Sequence, residues 1–274
     1  MAGTLYIVAT PLGNLDDMTF RAVRVLGEEA GLIACEDTRH TRKLLEHYSI
    51  SKPLVSCHEH NEAAETPRLI ARLRAGETIA LVSDAGTPLV SDPGYRLVAA
   101  AIAAGIRVVP IPGPSALVAA LSASGLPSDA FSFRGFLPAR AGRRRKALEN
   151  ISRETSTVIV YEAPHRILET LSEMEAVLGG RPLVVARELT KIHEEFLRGT
   201  AAAIRAELAR RPAVKGEITL IIGPASGASP ASDAPLAEAV ADHQARGLSR
   251  MDAIKAVARE RGLSKREVYA VLAR

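Results

Sequence analysis

Acidic, basic and imidazole side chains follow two apolar runs of this sequence, at the points where the runs end. Residues 32–35 lead into the polar run 36–40, Glu-Asp-Thr-Arg-His, and residues 54–57 lead into a run that contains His58 and His60. Carboxylates and imidazoles can accept protons, and Arg binds phosphate. Because open α/β sheets bind ligands at the carboxyl ends of their strands, we expect these side chains to lie at a common site.

Both polar runs also allow simpler interpretations. Asp37 or Thr38 is expected to cap a helix that continues to Tyr48, although capping does not require all five polar residues. His58 and His60 could be metal ligands on an extended segment, but the sequence offers no convincing third ligand. We therefore predict no metal site.

The segment 83–94 is the most informative turn in the sequence. It follows the apolar run 78–82 and far exceeds the roughly two to six residues that a plain strand-to-helix turn needs. Gly86 and Gly94 permit backbone angles closed to other residues, while Pro88 and Pro93 restrict theirs. Backbone N–H groups between them are then free to face a ligand, so the segment predicts a rigid binding loop.

Composition places the chain among proteins with ordinary hydrophobic cores. Its 274 residues suffice for two domains, 47% of them are apolar, and the 4% that are aromatic include no Trp. No apolar stretch approaches the ~18 residues of a membrane span, and no secretory signal is recognisable. Cys35 and Cys57 do not form a disulfide framework or a zinc motif. We expect a soluble protein of the reducing cytoplasm.

Strand-like runs alternate with helical patterns, which predicts an α/β fold built on a largely parallel sheet. The predicted strands are 5–9, 32–35, 54–57, 79–82, 108–111, 157–161, 183–186 and 218–222. The predicted helices between them include 62–73, 96–104, 166–178 and 200–210. The predicted units are an N-terminal α/β lobe at 1–112, a second and mixed α/β lobe at 113–224, a linker at 225–234 and a small all-α unit at 235–274.

The last 40 or so residues repeat a helix-start signal. Gly-Leu-Ser occurs at 247–249 and again at 262–264, and each Ser is followed three residues later by an acid, Asp252 or Glu267. Helices over 249–259 and 264–274 are expected after a first helix over 236–246. This unit resembles a helix-turn-helix, and the alternative is a dimerisation or capping bundle.

Positive charge is concentrated in one segment of a chain whose net charge is only +4. Residues 134–146 contain five Arg and one Lys, at Arg134, Arg140, Arg143, Arg144, Arg145 and Lys146, and no acid. With its Gly and Pro residues the segment favours a mobile loop that binds a polyanion. The alternative is a solvated face of a helix.

Five motifs together resemble one enzyme family. They are, in chain order, TLYIVATPLGNLDD, CEDTRHTRKLL, LVSDAGTPLVSDPG, PGPSA and YEAPHR. From about residue 4 to residue 224 the chain resembles the tetrapyrrole methylase-like class of S-adenosylmethionine-dependent methyltransferases. Within it, the chain is similar to the bacterial branch that methylates the 2′-oxygen of a cytidine in the decoding region of 16S ribosomal RNA. The short helical unit at the C-terminus also fits that branch.

This resemblance implies two α/β lobes with S-adenosylmethionine in the cleft between them, commonly in a homodimer. The partner it implies is 16S ribosomal RNA or the small ribosomal subunit. The family's Gly-Gly-Asp-Pro loop is replaced here by Ala-Gly-Thr-Pro at 85–88, so Asp84 is expected to take over a polar contact. The implied cofactor-binding residues are Pro11, Asp84, Ala85, Gly86, Thr87, Val90, Ser115, Ala116 and Glu162.

A ribose hydroxyl must lose its proton near or during methyl transfer, which requires a nearby carboxylate or imidazole. We predict Asp37 for this role, followed by Glu36 and His40. The residues predicted to contact RNA are Arg39, Arg140, Arg143, Arg144, Arg145, Lys146 and Arg166.

Two other functions are compatible with the motifs. One is methylation of a tetrapyrrole carbon, for which neither the basic segment nor the helical tail would be needed. The other is a non-catalytic RNA-binding or ribosome-assembly factor that retains the cleft, against which the intact Gly86, Pro88, Gly113 and Ser115 argue.

Overall fold

A computed structural model describes residues 2–225, 236–245, 247–260, 263 and 265–272. The strands of the first lobe are β1 (Thr4–Val8), β2 (Leu32–Cys35), β3 (Leu54–Ser56), β4 (Ile79–Val82) and β5 (Arg107–Ile111). Its helices are α1 (Phe20–Arg24), continued by a π-helical turn at Val25–Glu29, then α2 (Thr38–His47), α3 (Glu62–Arg74) and α4 (Tyr95–Ala103).

The first lobe is a parallel sheet with strand order β3-β2-β4-β1-β5. Every residue of β2 and β4 is buried, because helices cover both faces of the sheet. Alternate residues of β4 therefore enter different cores: Ile79 and Leu81 pack on one face, and Ala80 and Val82 on the other. Because β1 and β4 are neighbours, the loops that follow them meet at one edge.

The helix that begins at the last residue of the PGPSA motif is α5 (Ala116–Ser122). The second lobe contains β6 (Phe131–Phe136), β7 (Thr157–Glu162), β8 (Leu183–Arg187), β9 (Glu195–Gly199) and β10 (Ile218–Ile222). Its remaining helices are α6 (Ala141–Ile151), α7 (Ile167–Leu178) and α8 (Ala201–Leu208).

The second sheet has the order β6-β7-β10-β8-β9. Its β6–β7 pair is parallel and its other pairs are antiparallel, which confirms the predicted mixed direction. The edge strands β6 and β9 were not predicted. Each is only partly buried and contains an Arg and a Gly, so neither carries the continuous apolar pattern of β10, whose five residues are all buried.

The interpretation of residues 134–146 as a mobile loop is wrong. Arg134 lies in β6, and the segment from Ala141 onward begins helix α6. The spacing of Arg144, Leu148 and Ile151 explains the helix, because residues four and seven positions apart lie on one helical face. That face is buried against the second sheet and α7.

The C-terminal unit contains α9 (Leu236–Ala245), α10 (Arg250–Glu260) and α11 (Lys265–Leu272). They pack around a core of their own that includes Val240, Ile254 and Val268. The predicted cap at Ser249 is confirmed, since its Oγ accepts a hydrogen bond from the Asp252 N–H at 3.2 Å. Its repeat at Gly262 and Ser264, and linker residues 226–234, lie outside the described residues.

Within the described part of the chain, no helix combines the length and the apolar character that crossing a membrane requires.

Candidate active site

Two backbone hydrogen bonds join the loops that follow β1 and β4. The Thr10 N–H donates to the Gly86 carbonyl and the Gly86 N–H donates to the Thr10 carbonyl, both at 2.9 Å. The Thr10 hydroxyl also donates to the Ser83 carbonyl at 3.0 Å. Gly86 has φ +80°, and a Cβ there would lie 3.1 Å from Leu12 Cδ2. Glycine is favoured at this position by its left-handed conformation, and a Cβ would also require Leu12 to shift by a few tenths of an ångström.

The remainder of the 83–94 loop has a strained backbone, and hydrogen bonds to a buried glutamate hold its end in place. Both features are typical of a rigid loop. Leu89 and Ser91 have φ of 73° and 68°, a region that side chains other than glycine rarely occupy. The buried Glu62 accepts hydrogen bonds from the N–H groups of Gly94 at 3.1 Å and Arg96 at 2.8 Å. Glu62 therefore fixes the end of the loop to the start of α4, a role that sequence reasoning missed.

A cavity of 380 Å³ lies between the two lobes. Of the predicted cofactor residues, those that line it are Asp84, Ala85, Gly86, Thr87, Val90, Ser115, Ala116 and Glu162. Pro11 lines an adjoining cavity instead. Further lining residues that the sequence analysis did not name are Leu12, Phe136, Tyr161, Leu189, Glu217, Ile218 and Thr219. Most of these come from the ends of β6, β7 and β10. Two of them lie in the quoted motifs, Leu12 in TLYIVATPLGNLDD and Tyr161 in YEAPHR.

Glu162 has its carboxylate committed to neighbours in the second lobe. The side chain is fully buried and accepts hydrogen bonds from Thr170 Oγ1 at 2.6 Å, Arg166 Nη2 at 2.5 Å and the Ala163 N–H at 2.7 Å. Arg166 is itself 16% exposed and bound to this carboxylate. The predicted contact of Arg166 with RNA phosphate stays a prediction, and the structure leaves its guanidinium little freedom to make one.

Asp37 caps α2, as one of the two structural interpretations expected. Its Oδ1 accepts a hydrogen bond from the Arg39 N–H at 2.8 Å, and its Oδ2 pairs with Arg39 Nη2 at 2.8 Å. The Arg39 guanidinium and these N–H donors hold the pKa of the Asp37 carboxyl far below its usual range. The Asp37 N–H in turn donates to Asp84 Oδ1 at 3.2 Å, so α2 orients the Asp84 carboxylate.

Three carboxylates cluster at this edge of the cavity: Glu36, Asp84 and Asp92. Burial, followed by the charge of Glu36, raises the pKa of Asp92 to about 6. Burial and the charge of Asp84 likewise raise the pKa of Glu36. Asp84 and Asp92 both line the cavity. The negative potential of this cluster favours a cationic ligand.

A second cavity, of 500 Å³, adjoins the first. The two cavities share Leu12, Asp84, Ala85 and Glu217, so these residues form the boundary between them. Of the other catalytic candidates, His40 lines the second cavity. Glu36 lines neither of the two.

The basic residues of α6 do not all face solvent. Arg144 has a fully buried side chain that donates to Glu173 Oε2 at 2.9 Å and to Glu169 Oε1 at 2.5 Å. Its assignment as an RNA contact is therefore wrong, because the helical period directs it toward α7. The predicted RNA contacts that are exposed are Arg39, Arg140, Arg143, Arg145 and Lys146.

His58 and His60 lie with their ring centroids 5.9 Å apart. In the described part of the chain, no group of three or more His, Cys, Asp or Glu side chains is arranged to hold a metal ion.

Residues 4–205 match the model of the family described as Tetrapyrrole (Corrin/Porphyrin) Methylases. The chain belongs to this family. Membership in the methylase family makes the chain a methyltransferase, and S-adenosylmethionine is the family's cofactor, as the five motifs predicted.

Relatives of this tetrapyrrole methylase family member include three proteins called Ribosomal RNA small subunit methyltransferase I. The one from Halalkalibacterium halodurans is 51% identical over 273 residues, which cover 97% of this chain and 93% of that protein. The one from Synechocystis sp. is 49% identical, with coverage of 97% and 96%. The one from Pseudomonas aeruginosa is 60% identical over 194 residues, with coverage of 70% and 68%.

Solved structures share the fold of this family member. Uroporphyrin-III-C-methyltransferase from Thermus thermophilus has a TM-score of 0.57 at 22% identity and covers 82% of this chain and 93% of its own. Diphthine synthase has a TM-score of 0.60 at 15% identity, with coverage of 81% and 90%. The Thermus enzyme complexed with S-adenyl homocysteine has a TM-score of 0.55 at 20% identity, with coverage of 80% and 97%. The predicted α/β class is confirmed.

Proposed function

We propose that this protein transfers a methyl group from S-adenosylmethionine to the 2′-oxygen of a cytidine ribose in the decoding region of 16S ribosomal RNA. The observation that carries the proposal is the identity of about half of all residues, over 97% of the chain, with relatives called Ribosomal RNA small subunit methyltransferase I. The motif resemblance adds the cytidine 2′-oxygen and a homodimer to this proposal, and the cysteine content of the sequence adds the cytoplasm.

The first cavity fits the methyl donor. Leu12, Val90 and Ile218 offer apolar walls for an adenine ring, and the backbone at Gly86 is open to close approach. Asp84 and Asp92 place negative charge where a sulfonium cation would be stabilised. When bound, the donor supplies an electrophilic methyl carbon, whose bond to sulfur breaks with its electron pair as the ribose oxygen bonds to it.

Asp84 is the carboxylate best placed to receive the ribose proton. It lies on the boundary of the two cavities, half-buried, and the Asp37 N–H orients it. Glu217 shares the boundary but is paired with Lys191 Nζ at 3.0 Å. Asp37, ranked first from the sequence, is a weak proton acceptor because Arg39 lowers its pKa. Asp37, Glu36 and His40 remain alternatives, and a conservative substitution at each of them tests its role.

Transfer of label from the donor tests the function directly. The protein is incubated with methyl-labelled S-adenosylmethionine and either small ribosomal subunits or uroporphyrinogen, and the labelled RNA nucleotide is mapped. We expect label on a cytidine 2′-oxygen. Label in the macrocycle and none in RNA would identify a tetrapyrrole methyltransferase instead. Failure of the protein to bind the donor in calorimetry would favour a non-catalytic RNA-binding factor.

Gly86→Ala is expected to weaken donor binding up to about tenfold. The left-handed backbone costs a residue with a Cβ roughly 1–2 kcal/mol, so the free loop is expected to relax, and donor binding must then restore the strained conformation. The new Cβ would also approach Leu12 Cδ2 at 3.1 Å. Titration calorimetry with S-adenosylmethionine measures the effect. Gly142→Ala is the matched control, since a Cβ there meets nothing within 4 Å. Equal affinities of the two variants would remove Gly86 from the donor site.

Alanine at both Arg143 and Lys146 is expected to weaken RNA binding and to reduce its salt dependence. Both side chains are exposed on α6. Each lost phosphate contact lowers the slope of log affinity against log salt by about 0.7 for a single strand. The control replaces the exposed Arg74 and Arg107 of the first lobe, which removes the same charge. Equal salt slopes for the two double variants would show that α6 does not contact RNA.

A further inference from the structure

The second cavity offers a site next to the methyl donor that the first cavity does not explain. Its lining residues beyond the four shared ones are Pro11, Gly13, Leu15, His40, Lys43, Leu44 and Lys191. These come from the loop after β1, from helix α2 and from the loop between β8 and β9. Both lobes thus contribute to it, and its inner end is the boundary formed by Asp84 and Ala85.

One wall of the second cavity is a face of α2. His40, Lys43 and Leu44 lie three and four positions apart, so they project from the same side of the helix. Leu44 is buried, whereas His40 and Lys43 are exposed at the rim. Among the residues that the structure describes, Lys43 has no ion-pair partner. Its ammonium group is therefore available to an anion.

The opposite wall is built around Lys191. A Cβ on Gly13 would lie 2.3 Å from Lys191 Cγ, so the lysine stem crosses directly over the glycine. The Lys191 Nζ binds Glu188 Oε1 at 2.9 Å and Glu217 Oε2 at 3.0 Å, which neutralises its charge. The Asn14 N–H donates to Thr190 Oγ1 at 3.1 Å and joins the same two loops. This wall is preformed, and because two carboxylates face one ammonium group its formal net charge is −1.

We propose that the second cavity binds the acceptor nucleotide of a single-stranded RNA, with Lys43 and His40 on its phosphate and its ribose at Asp84. This inference rests on the proposed function. Leu12, Leu15 and Leu44 supply the apolar surface against which a base packs. A phosphate at the rim and a hydroxyl at the boundary match the placement of the Lys43 ammonium and the His40 ring outside and the Asp84 carboxylate inside. The arrangement directs the ribose, and not the base edge, toward the donor.

Lys43→Ala tests the site in the full-length protein. The probe is a fluorescein-labelled single-stranded RNA with the decoding-region sequence, titrated by anisotropy without the methyl donor. We expect its Kd to rise about tenfold, which corresponds to about 1.4 kcal/mol, because the variant loses a hydrogen bond from a charged group to the RNA. Arg42→Ala is the matched control, because Arg42 is exposed on α2 one residue away but does not line the cavity. Lys43→Arg is expected to recover most of the affinity.

Steady-state kinetics on small ribosomal subunits separate this inference from the proposed function. Lys43→Ala is expected to raise KM for the RNA substrate while leaving the calorimetric affinity for S-adenosylmethionine unchanged. If Lys43→Ala and Arg42→Ala bind RNA equally well while the wild type methylates RNA, the nucleotide site is overturned and the proposed function stands. If the wild type binds the donor but methylates no RNA, the proposed function fails. A difference in RNA affinity between Lys43→Ala and Arg42→Ala would in that case still locate an RNA-binding site in the second cavity.

Discussion

Asp84→Asn is expected to slow methyl transfer roughly 100- to 10,000-fold, the range that a positioned proton acceptor contributes. Asn has nearly the shape of Asp and its carbonyl can still accept the Asp37 N–H, but an amide cannot accept the ribose proton. Single-turnover transfer to small ribosomal subunits measures the rate. Calorimetry with S-adenosylmethionine is expected to show a much smaller loss of affinity than of rate, because Asp92 and the apolar walls of the cavity remain when the Asp84 charge is removed.

Asp37→Asn is the matched control for this prediction. Asn is as good an N-cap as Asp, so α2 is expected to keep its start, and a moderate loss of rate through Arg39 and Asp84 is expected. Glu36→Gln and His40→Asn complete the series. If Asp37→Asn abolishes transfer while Asp84→Asn remains active, Asp37 is the proton acceptor, as the sequence ranking had it.

Arg144→Ala is expected to lower the free energy of unfolding by about 3 kcal/mol, near the lower end for breaking a buried ion pair. The side chain is fully buried and binds both Glu169 and Glu173, which lie 60% and 21% exposed. Removing the side chain leaves the carboxylates of Glu169 and Glu173 without the guanidinium that binds both of them. It also leaves a void where the methylene groups of Arg144 were packed. The partial exposure of both glutamates lets water reach them, which limits the loss.

Denaturant unfolding followed by circular dichroism measures this change. Arg145→Ala is the control, because Arg145 is the next residue of α6 and forms an exposed pair with Glu149 at 3.3 Å. Exposed pairs of this spacing contribute about 0.5 kcal/mol or less, so its transition is expected to stay near wild type. Equal midpoints for the two variants would contradict the structural role of Arg144.

Local sequence patterns were sufficient for the fold class and for a loop that lines the cavity between the lobes. The strands β2, β4 and β10 are mostly apolar runs bounded by turn residues. This pattern indicates a buried strand whichever elements pack against it. The 83–94 loop was equally predictable. Its glycines and prolines restrict the backbone directly, and Gly86 and Gly94 indeed occupy φ +80° and +124°.

Tertiary structure alone decided which polar side chains are free to act. Residues 143–145 are three consecutive arginines. Only Arg144 is buried, because it faces α7 and forms ion pairs with Glu169 and Glu173 of that helix. Asp37 and Asp84 are 47 residues apart, and the neighbouring positions of β2 and β4 bring them within one hydrogen bond. The charge, burial and partners of a side chain depend on residues distant in sequence. For this reason the sequence identified the family and the 83–94 loop, while the roles proposed for Asp84 and Lys43 and the buried ion pairs of Arg144 required the packed lobes.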